Sequence, residues 1–175
     1  MSTNKFSHIA STYNEYLDCL YDYALHLGFD EQTSMDAIHD IFYKLCVNNS
    51  RLDEISNLKF YLFRSLRNRL IDLKRTKSEI PDNFSAEGLI CEHLPFKLNV
   101  TVEDELIEKE ESEEISRRVE NVLNQMTQRQ REIIYLRYIQ ECSYEEISKI
   151  MQISIAASRN LVSKSLTKSK DKEAM

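Results

Sequence analysis

The sequence predicts an all-α chain of two small helical domains, an N-terminal helical bundle and a C-terminal helix-turn-helix domain, joined by an acidic linker. Three observations carry this. Only two glycines and two prolines occur in 175 residues; Pro81, Gly88 and Pro95 fall close together and Gly28 stands alone. Both residue types are costly inside helices, so helices are expected on either side of 81–95. Apolar residues recur every three or four positions in both halves. Charge is segmented: 1–58 holds 3 basic and 9 acidic residues, 59–77 holds 7 and 1, 78–120 holds 4 and 13, and 121–175 holds 9 and 6. An acidic chain of net charge −6 therefore carries two local basic stretches able to meet phosphates. The expected divisions are 1–77, a flexible linker at 78–101, and 102–175.

Apolar residues at Tyr13, Tyr16, Leu17, Leu20, Tyr23, Ala24 and Leu27 define a first helix that Gly28 stops. A second runs from about Gln32 to Cys46, with Met35, Ile38, Ile41, Phe42 and Leu45 on one side and Asp36, His39, Asp40 and Tyr43 on much of the rest. The polar run Val47 to Asn57 reads as a loop. A third helix spans Leu58 to about Lys77, and its Leu62, Phe63, Leu66, Leu70 and Leu73 fall within an arc of about 100°, a buried stripe. Opposite them lie Arg64, Arg67, Asn68, Lys74 and Arg75, with Phe60 and Tyr61 at the N-terminal end. Guanidinium groups interleaved with aromatic faces suit phosphates and unstacked bases. A solvated basic helix end, favoured by the macrodipole, would have the same composition.

The second half opens with a glutamate-rich helix, Val102 to Asn124, whose apolar positions are Leu106, Ile107, Ile115, Val119, Val122 and Leu123. Thr127 and Gln130 form a capping box that starts a helix reaching Ile139. Ser143 and Glu146 form another, starting a short helix from Tyr144 to Met151. Gln152, Ile153 and Ser154 then turn the chain into a last helix, Ile155 to about Ser169, with Ser154 as N-cap. Ile147, Ile150, Ile153, Ile155 and Val162 supply the packing and Ser148 the small residue at the crossing, as a helix-turn-helix requires. In DNA-binding versions the second helix presents its N-terminal residues to base edges, here Ser154, Ala156, Ala157, Arg159, Asn160 and Ser163, while Lys164 and Lys168 reach phosphates. An ordinary helical hairpin is the alternative, because Gln152 stands where such turns commonly have glycine.

Other chemistries find little support. Charged residues make up 30% of the chain and no run approaches 18 apolar residues, so no membrane insertion is expected. The first ten residues lack the pattern of a secretory leader, and a soluble cytoplasmic chain is the expectation. Cys19, Cys46, Cys91 and Cys142 lie far apart without a CxxC pair, so isolated reduced thiols are expected and neither a metal nor a disulfide framework. No glycine-rich phosphate loop, nucleophile elbow or HExxH pair is present, and no cofactor is expected.

Both halves together resemble one family, the extracytoplasmic-function group of bacterial RNA polymerase sigma-70 factors. Asp36-Ala37-Ile38-His39-Asp40-Ile41-Phe42-Tyr43-Lys44-Leu45 resembles its core-binding helix. Phe60 to Arg75, with Arg67-Asn68 at its centre, resembles the promoter-melting helix. Met126 to Tyr138, followed by Ser143-Tyr144-Glu145-Glu146-Ile147, is similar to the C-terminal domain. The match covers roughly Tyr13 to Lys77 and Val102 to Ser169, in the family's order and spacing.

The resemblance implies a binding protein rather than an enzyme, with core RNA polymerase and promoter DNA as partners. Asp36, His39 and Asp40 would meet the clamp helices of the largest polymerase subunit; His39 stands where the family usually has Gln. Phe60, Tyr61, Arg64, Arg67, Asn68, Lys74 and Arg75 would hold the minus-ten element, and the loop 48–57 would take a flipped base. The last helix would read the minus-thirty-five duplex in its major groove. Ser158 and Leu161 stand where the family often has a β-branched and a basic residue, so a rotated, weakened or differently specific reading face is expected. The acidic linker would be drawn into the basic RNA-exit path of polymerase. An anti-sigma protein is implied as a further partner.

Three other readings stand beside this one. A free-standing helix-turn-helix regulator would need no polymerase, but leaves the basic third helix without a task. A metal-dependent phosphohydrolase would use His26, the His39-Asp40 dipeptide and Asp72. A helical adaptor would account for composition alone.

Overall fold

The computed structural model describes residues 2–48, 52–77, 96–98 and 109–173. Most of the acidic linker, with Cys91, Leu106 and Ile107, lies outside them. Among the described residues the secondary structure is helical, without strands, which bears out the all-α class. The chain divides into two compact units, Met1–Pro95 with Lys149–Met151, and Phe96–Ser148 with Gln152–Met175.

The first unit contains α1 (Ser2–His26), α2 (Glu31–Val47) and α3 (Leu58–Lys77), which pack pairwise against one another. Helix α1 begins well before the Tyr13 start that periodicity suggests. Ile9 and Thr12 extend its buried stripe by one turn, and the Thr12 hydroxyl returns to the His8 carbonyl at 2.9 Å. Gly28 ends the helix as expected, with φ 85°. Its N–H donates to Leu25 and that of Phe29 to Ala24, the paired bonds of a left-handed helix stop that a side chain with a Cβ resists.

Asp30 caps α2, accepting from the backbone N–H and the hydroxyl of Thr33, both at 2.8 Å. Leu52, buried within a short 3-10 turn (Leu52–Glu54), pins the connection to α3. Asn57 then caps α3 through the N–H of Phe60. The core is aliphatic and aromatic: Leu20, Tyr23 and Leu27 of α1, Ile38, Phe42 and Leu45 of α2, and Leu62, Phe63, Leu66 and Leu70 of α3. Each such side chain, removed from water, contributes about 1.5–3 kcal/mol before entropy is counted. Tyr23 packs on Phe63 with ring centroids 5.1 Å apart, and Tyr13 meets Phe42 edge to face at 5.1 Å.

The buried arc of α3 is wider than its leucine stripe. Arg67 and Ile71 are buried with Leu62, Phe63, Leu66 and Leu70, about 180° of the helix at 100° per residue. Leu73, expected in the stripe, is only half-buried. The reason is that α1 and α2 both pack on α3, so two flanks are covered rather than one.

The second unit contains α4 (Lys109–Gln125), α5 (Gln128–Ile134), the Tyr144–Ser148 part of α6 (Tyr144–Met151) and α7 (Ile155–Glu173). Charge pairs Arg117–Glu113 and Arg118–Glu114 decorate the exposed side of α4, while Leu123 turns inward. The Thr127 box is complete in both directions, Gln130 N–H to Thr127 Oγ1 at 3.2 Å and Thr127 N–H to Gln130 Oε1 at 2.9 Å. The helix expected to run to Ile139 changes character on the way. Tyr135–Ile139 is a π turn, closed by Gln140 N–H to the Tyr135 carbonyl at 3.0 Å. Its wider loop keeps Tyr135 and Leu136 buried and lets the Gln140 amide reach the Tyr135 hydroxyl at 3.0 Å. Phe96, assigned to the linker on composition, is 1% exposed and packs on Tyr135 at 5.4 Å between centroids.

Candidate nucleic-acid interface

On the first unit two surfaces meet. Along α2, Asp36 and His39 are exposed and Asp40 half-exposed, joined by Tyr43 and Val47, which are 68% and 61% exposed. These positions recur at helical spacing, so the stripe is acidic at one end and apolar at the other. Asp36 accepts from the Gln32 amide at 2.9 Å. The His39 Nε2 lies 3.0 Å from the Tyr13 hydroxyl, and the two rings are stacked. A histidine ring can exchange one hydrogen bond with that hydroxyl and keep its other nitrogen for a partner.

Along α3, Arg64 and Tyr61 are exposed, and Phe60, Asn68, Lys74 and Arg75 are half-exposed. Arg75 pairs with Asp72 at 3.0 Å. Arg67 does not join them. The expectation that it sits on the open basic face is corrected: it is 1% exposed and heads the fully buried side chains in size among the described residues. The physical cause is the two-sided cover of α3 described above, which turns the position between Phe63 and Ile71 inward. A guanidinium so buried is retained only when its donors are satisfied, and Arg67 is engaged within the structure.

Arg69, which no motif singles out, faces α2 and binds Asp40. It lines a cleft between the two helices with Asp40, Lys44, Tyr61 and Asn68. The signal available in sequence was its place on the wheel, beside Leu62 and Leu66 on the α2 flank.

On the second unit the helix-turn-helix forms as its capping residues dictate. Ser143 and Glu146 exchange bonds at 3.2 and 2.7 Å. Gln152 ends α6 in the left-handed conformation, φ 56° and ψ 47°, and Ile153 N–H returns to the Ser148 carbonyl at 2.9 Å. The turn thus has the usual glycine geometry without the glycine. Ser154 caps α7, its hydroxyl accepting from Ala157 N–H at 3.0 Å.

Helix α7 and its cap present most of their polar and small residues outward. Ser154, Ala156, Ala157, Arg159, Asn160, Ser163 and Lys164 are all exposed. Ser158, Val162 and Ser165 are buried. Ser158 and Ser165 satisfy their hydroxyls on the carbonyls of Ser154 and Leu161, at 3.0 and 2.7 Å. The departure at Ser158 therefore lies on the inner side, away from the candidate reading face, and Leu161 is half-buried at its edge. Of the packing residues, Ile147, Ile150 and Val162 are buried as expected, whereas Ile155 is 39% exposed. Lys168 has no described side chain. Tyr144, at the start of α6, lies under two guanidinium groups, Arg137 at 4.8 Å and Arg159 at 5.7 Å from its ring centroid.

The residues of the phosphohydrolase alternative have separate partners, His26 with Asp22, Asp40 with Arg69, and Asp72 with Arg75, although Asp40 and Asp72 line the same cleft. Among the described residues no three His, Cys, Asp or Glu side chains are grouped to hold a metal, and no helix is long and apolar enough to cross a membrane.

Comparison with known families gives two matches. A family described as Sigma-70 region 2 matches residues 12–80, and one described as Sigma-70, region 4 matches residues 116–168. Curated proteins give no match.

Proposed function

Because the chain belongs to the sigma-70 family, in its extracytoplasmic-function group, we propose that it binds core RNA polymerase, recognises minus-ten and minus-thirty-five elements and directs transcription initiation. Regions 2 and 4 of that family make it a promoter-recognition factor; the polymerase performs the nucleotide chemistry. The observation that carries the finer reading is the division of α7 and its cap, where Ser154 and six polar or small side chains of the helix are exposed while Ser158, Val162 and Ser165 are buried. A helix so divided can enter a major groove with its outer side while the inner side stays packed.

In this reading residues 1–77 carry polymerase and minus-ten binding. Asp36, His39 and Asp40 offer acceptors to a basic surface of core polymerase, with Tyr43 and Val47 adding apolar area beside them. Arg64, Asn68, Lys74 and Arg75 hold the DNA backbone, and Phe60 and Tyr61 supply faces on which unstacked bases rest. The loop 48–57 takes the flipped base and supplies the discrimination that stacking lacks. Residues 102–175 read the minus-thirty-five duplex, with Arg159 and Asn160 as the side chains best able to make paired hydrogen bonds to base edges. The protein acts in the cytoplasm, its acidic linker follows the basic RNA-exit path, and an anti-sigma protein covers its polymerase-binding surface until initiation is required.

Run-off transcription on genomic DNA fragments with purified core polymerase tests this. Discrete starts are expected only when the protein is added, and they should vanish with Arg64→Ala plus Arg159→Ala. Absence of both core binding and new starts would overturn the reading in favour of a free-standing regulator.

A further inference from the structure

The Arg69 guanidinium donates from Nε to Oδ2 of Asp40 at 2.8 Å, and its Nη2 lies 2.7 Å from the same oxygen. One partner belongs to α2 and the other to α3, so the pair ties the proposed polymerase surface to the proposed DNA surface. Arg69 is 35% exposed and Asp40 43%. At such exposure an ion pair is favoured over its separated state by no more than about fivefold. It is therefore exchangeable. A cation on an incoming protein can take the carboxylate, and the guanidinium then stands at the rim of a cleft shared with Tyr61 and Asn68, both on the proposed minus-ten surface.

We infer that Arg69 is a further DNA-binding residue held in reserve by Asp40: core polymerase takes the Asp40 carboxylate, and the released guanidinium binds a phosphate of the minus-ten strand. The inference rests on the proposed role of Asp40 at core polymerase. The exchange conserves charge pairing at each stage. Free protein holds Arg69 on Asp40; bound protein holds Asp40 on a polymerase cation and Arg69 on a phosphate, for which its planar fork is well suited. Binding of polymerase and of promoter to the first unit is then coupled in both directions.

The test uses the full chain with Arg69→Gln, Arg69→Lys and Asp40→Asn. Two quantities are measured: affinity for core polymerase, and the salt dependence of holoenzyme affinity for the promoter fragment recovered by run-off transcription. Arg69→Gln frees Asp40, so core binding should tighten, by about two- to fivefold. The same variant should weaken promoter binding and reduce the slope of log affinity against log salt by roughly 0.7–0.9, the value of one phosphate contact. Arg69→Lys should keep the wild-type slope, because the charge remains.

A merely structural role would move both affinities the same way. Weaker core binding in Arg69→Gln, or an unchanged salt slope, overturns the inference. Asp40→Asn separates that failure from failure of the underlying reading. If Asp40→Asn weakens core binding while Arg69→Gln shows neither effect, the inference falls and the reading stands; if Asp40→Asn leaves core binding unchanged, both fall.

Discussion

The Arg159 guanidinium lies over the ring of Tyr144, 5.7 Å from its centroid, so the first residue of α6 supports a proposed base-reading side chain on α7. The same ring carries Arg137 at 4.8 Å, itself fixed by a bond from Nη1 to the Cys142 carbonyl at 3.1 Å. A long exposed arginine otherwise samples many rotamers, and a ring beneath it contributes about 0.5–1 kcal/mol toward one of them. Tyr144→Ala should therefore weaken binding to minus-thirty-five duplex by roughly two- to fivefold, and Tyr144→Phe should leave it near wild type. Fluorescence anisotropy with the full chain reads both; equal loss in the two variants would assign the effect to the hydroxyl instead of the ring.

Arg64 and Arg67, one turn apart on α3, should respond in opposite ways. Arg64→Ala removes an exposed side chain and should change stability by less than about 0.5 kcal/mol while weakening promoter binding. Arg67→Ala strands the groups that satisfy a buried guanidinium and should cost about 3 kcal/mol in urea unfolding. A stable Arg67→Ala protein with defective DNA binding would restore Arg67 to the DNA surface.

Phe96→Ala should destabilise the second unit by roughly 3–5 kcal/mol, the usual cost of an aromatic lost from a packed core. Thermal unfolding should show that loss in the second unit's transition and leave the first unit's transition in place. Phe96→Leu should cost less.

The left-handed Gln152 offers a gain. A residue with a Cβ pays about 1–2 kcal/mol in that conformation, part of which glycine avoids while losing more chain entropy. Gln152→Gly should raise the melting temperature of the second unit, whereas Gln152→Val should lower it.

Asp30 carries a pH prediction. Hydrogen bonds from the backbone and hydroxyl of Thr33 hold its carboxyl below the ordinary carboxylate range. A group depressed in the folded state contributes stability that is present above its unfolded value and is lost as pH falls through its folded value. The cap on α2 should thus weaken only in strongly acidic solution. Asp30→Asn, which caps without titrating, should flatten that part of the stability profile, and carboxyl NMR titration checks the direction.

What could be read in advance followed from local chemistry. The boxes Thr127–Gln130 and Ser143–Glu146, the stop at Gly28 and the cap at Ser154 are each written in adjacent residues, and each forms. Burial on α3 was legible for Leu62, Phe63, Leu66 and Leu70 but misleading for Arg67, because a helical wheel drawn for one covering neighbour does not contain the second. Tyr144 and Arg69 meet partners 15 and 29 residues away, and sequence periodicity does not register such distances. Phe96 was hidden by the acidic composition around it.

The interleaving on α7 has a consequence for how such a helix can change. Ser158, Val162 and Ser165 hold it to the unit, and the two serines close their hydroxyl bonds on the helix's own carbonyls. The anchoring positions therefore ask nothing of the outward side chains. Arg159, Asn160 and Ser163 can be exchanged without reopening the interior, so a library randomised at those three sites alone should yield folded variants with many different DNA preferences. Vocabulary and binding are printed on opposite sides of one page, and drift on the first does not loosen the second.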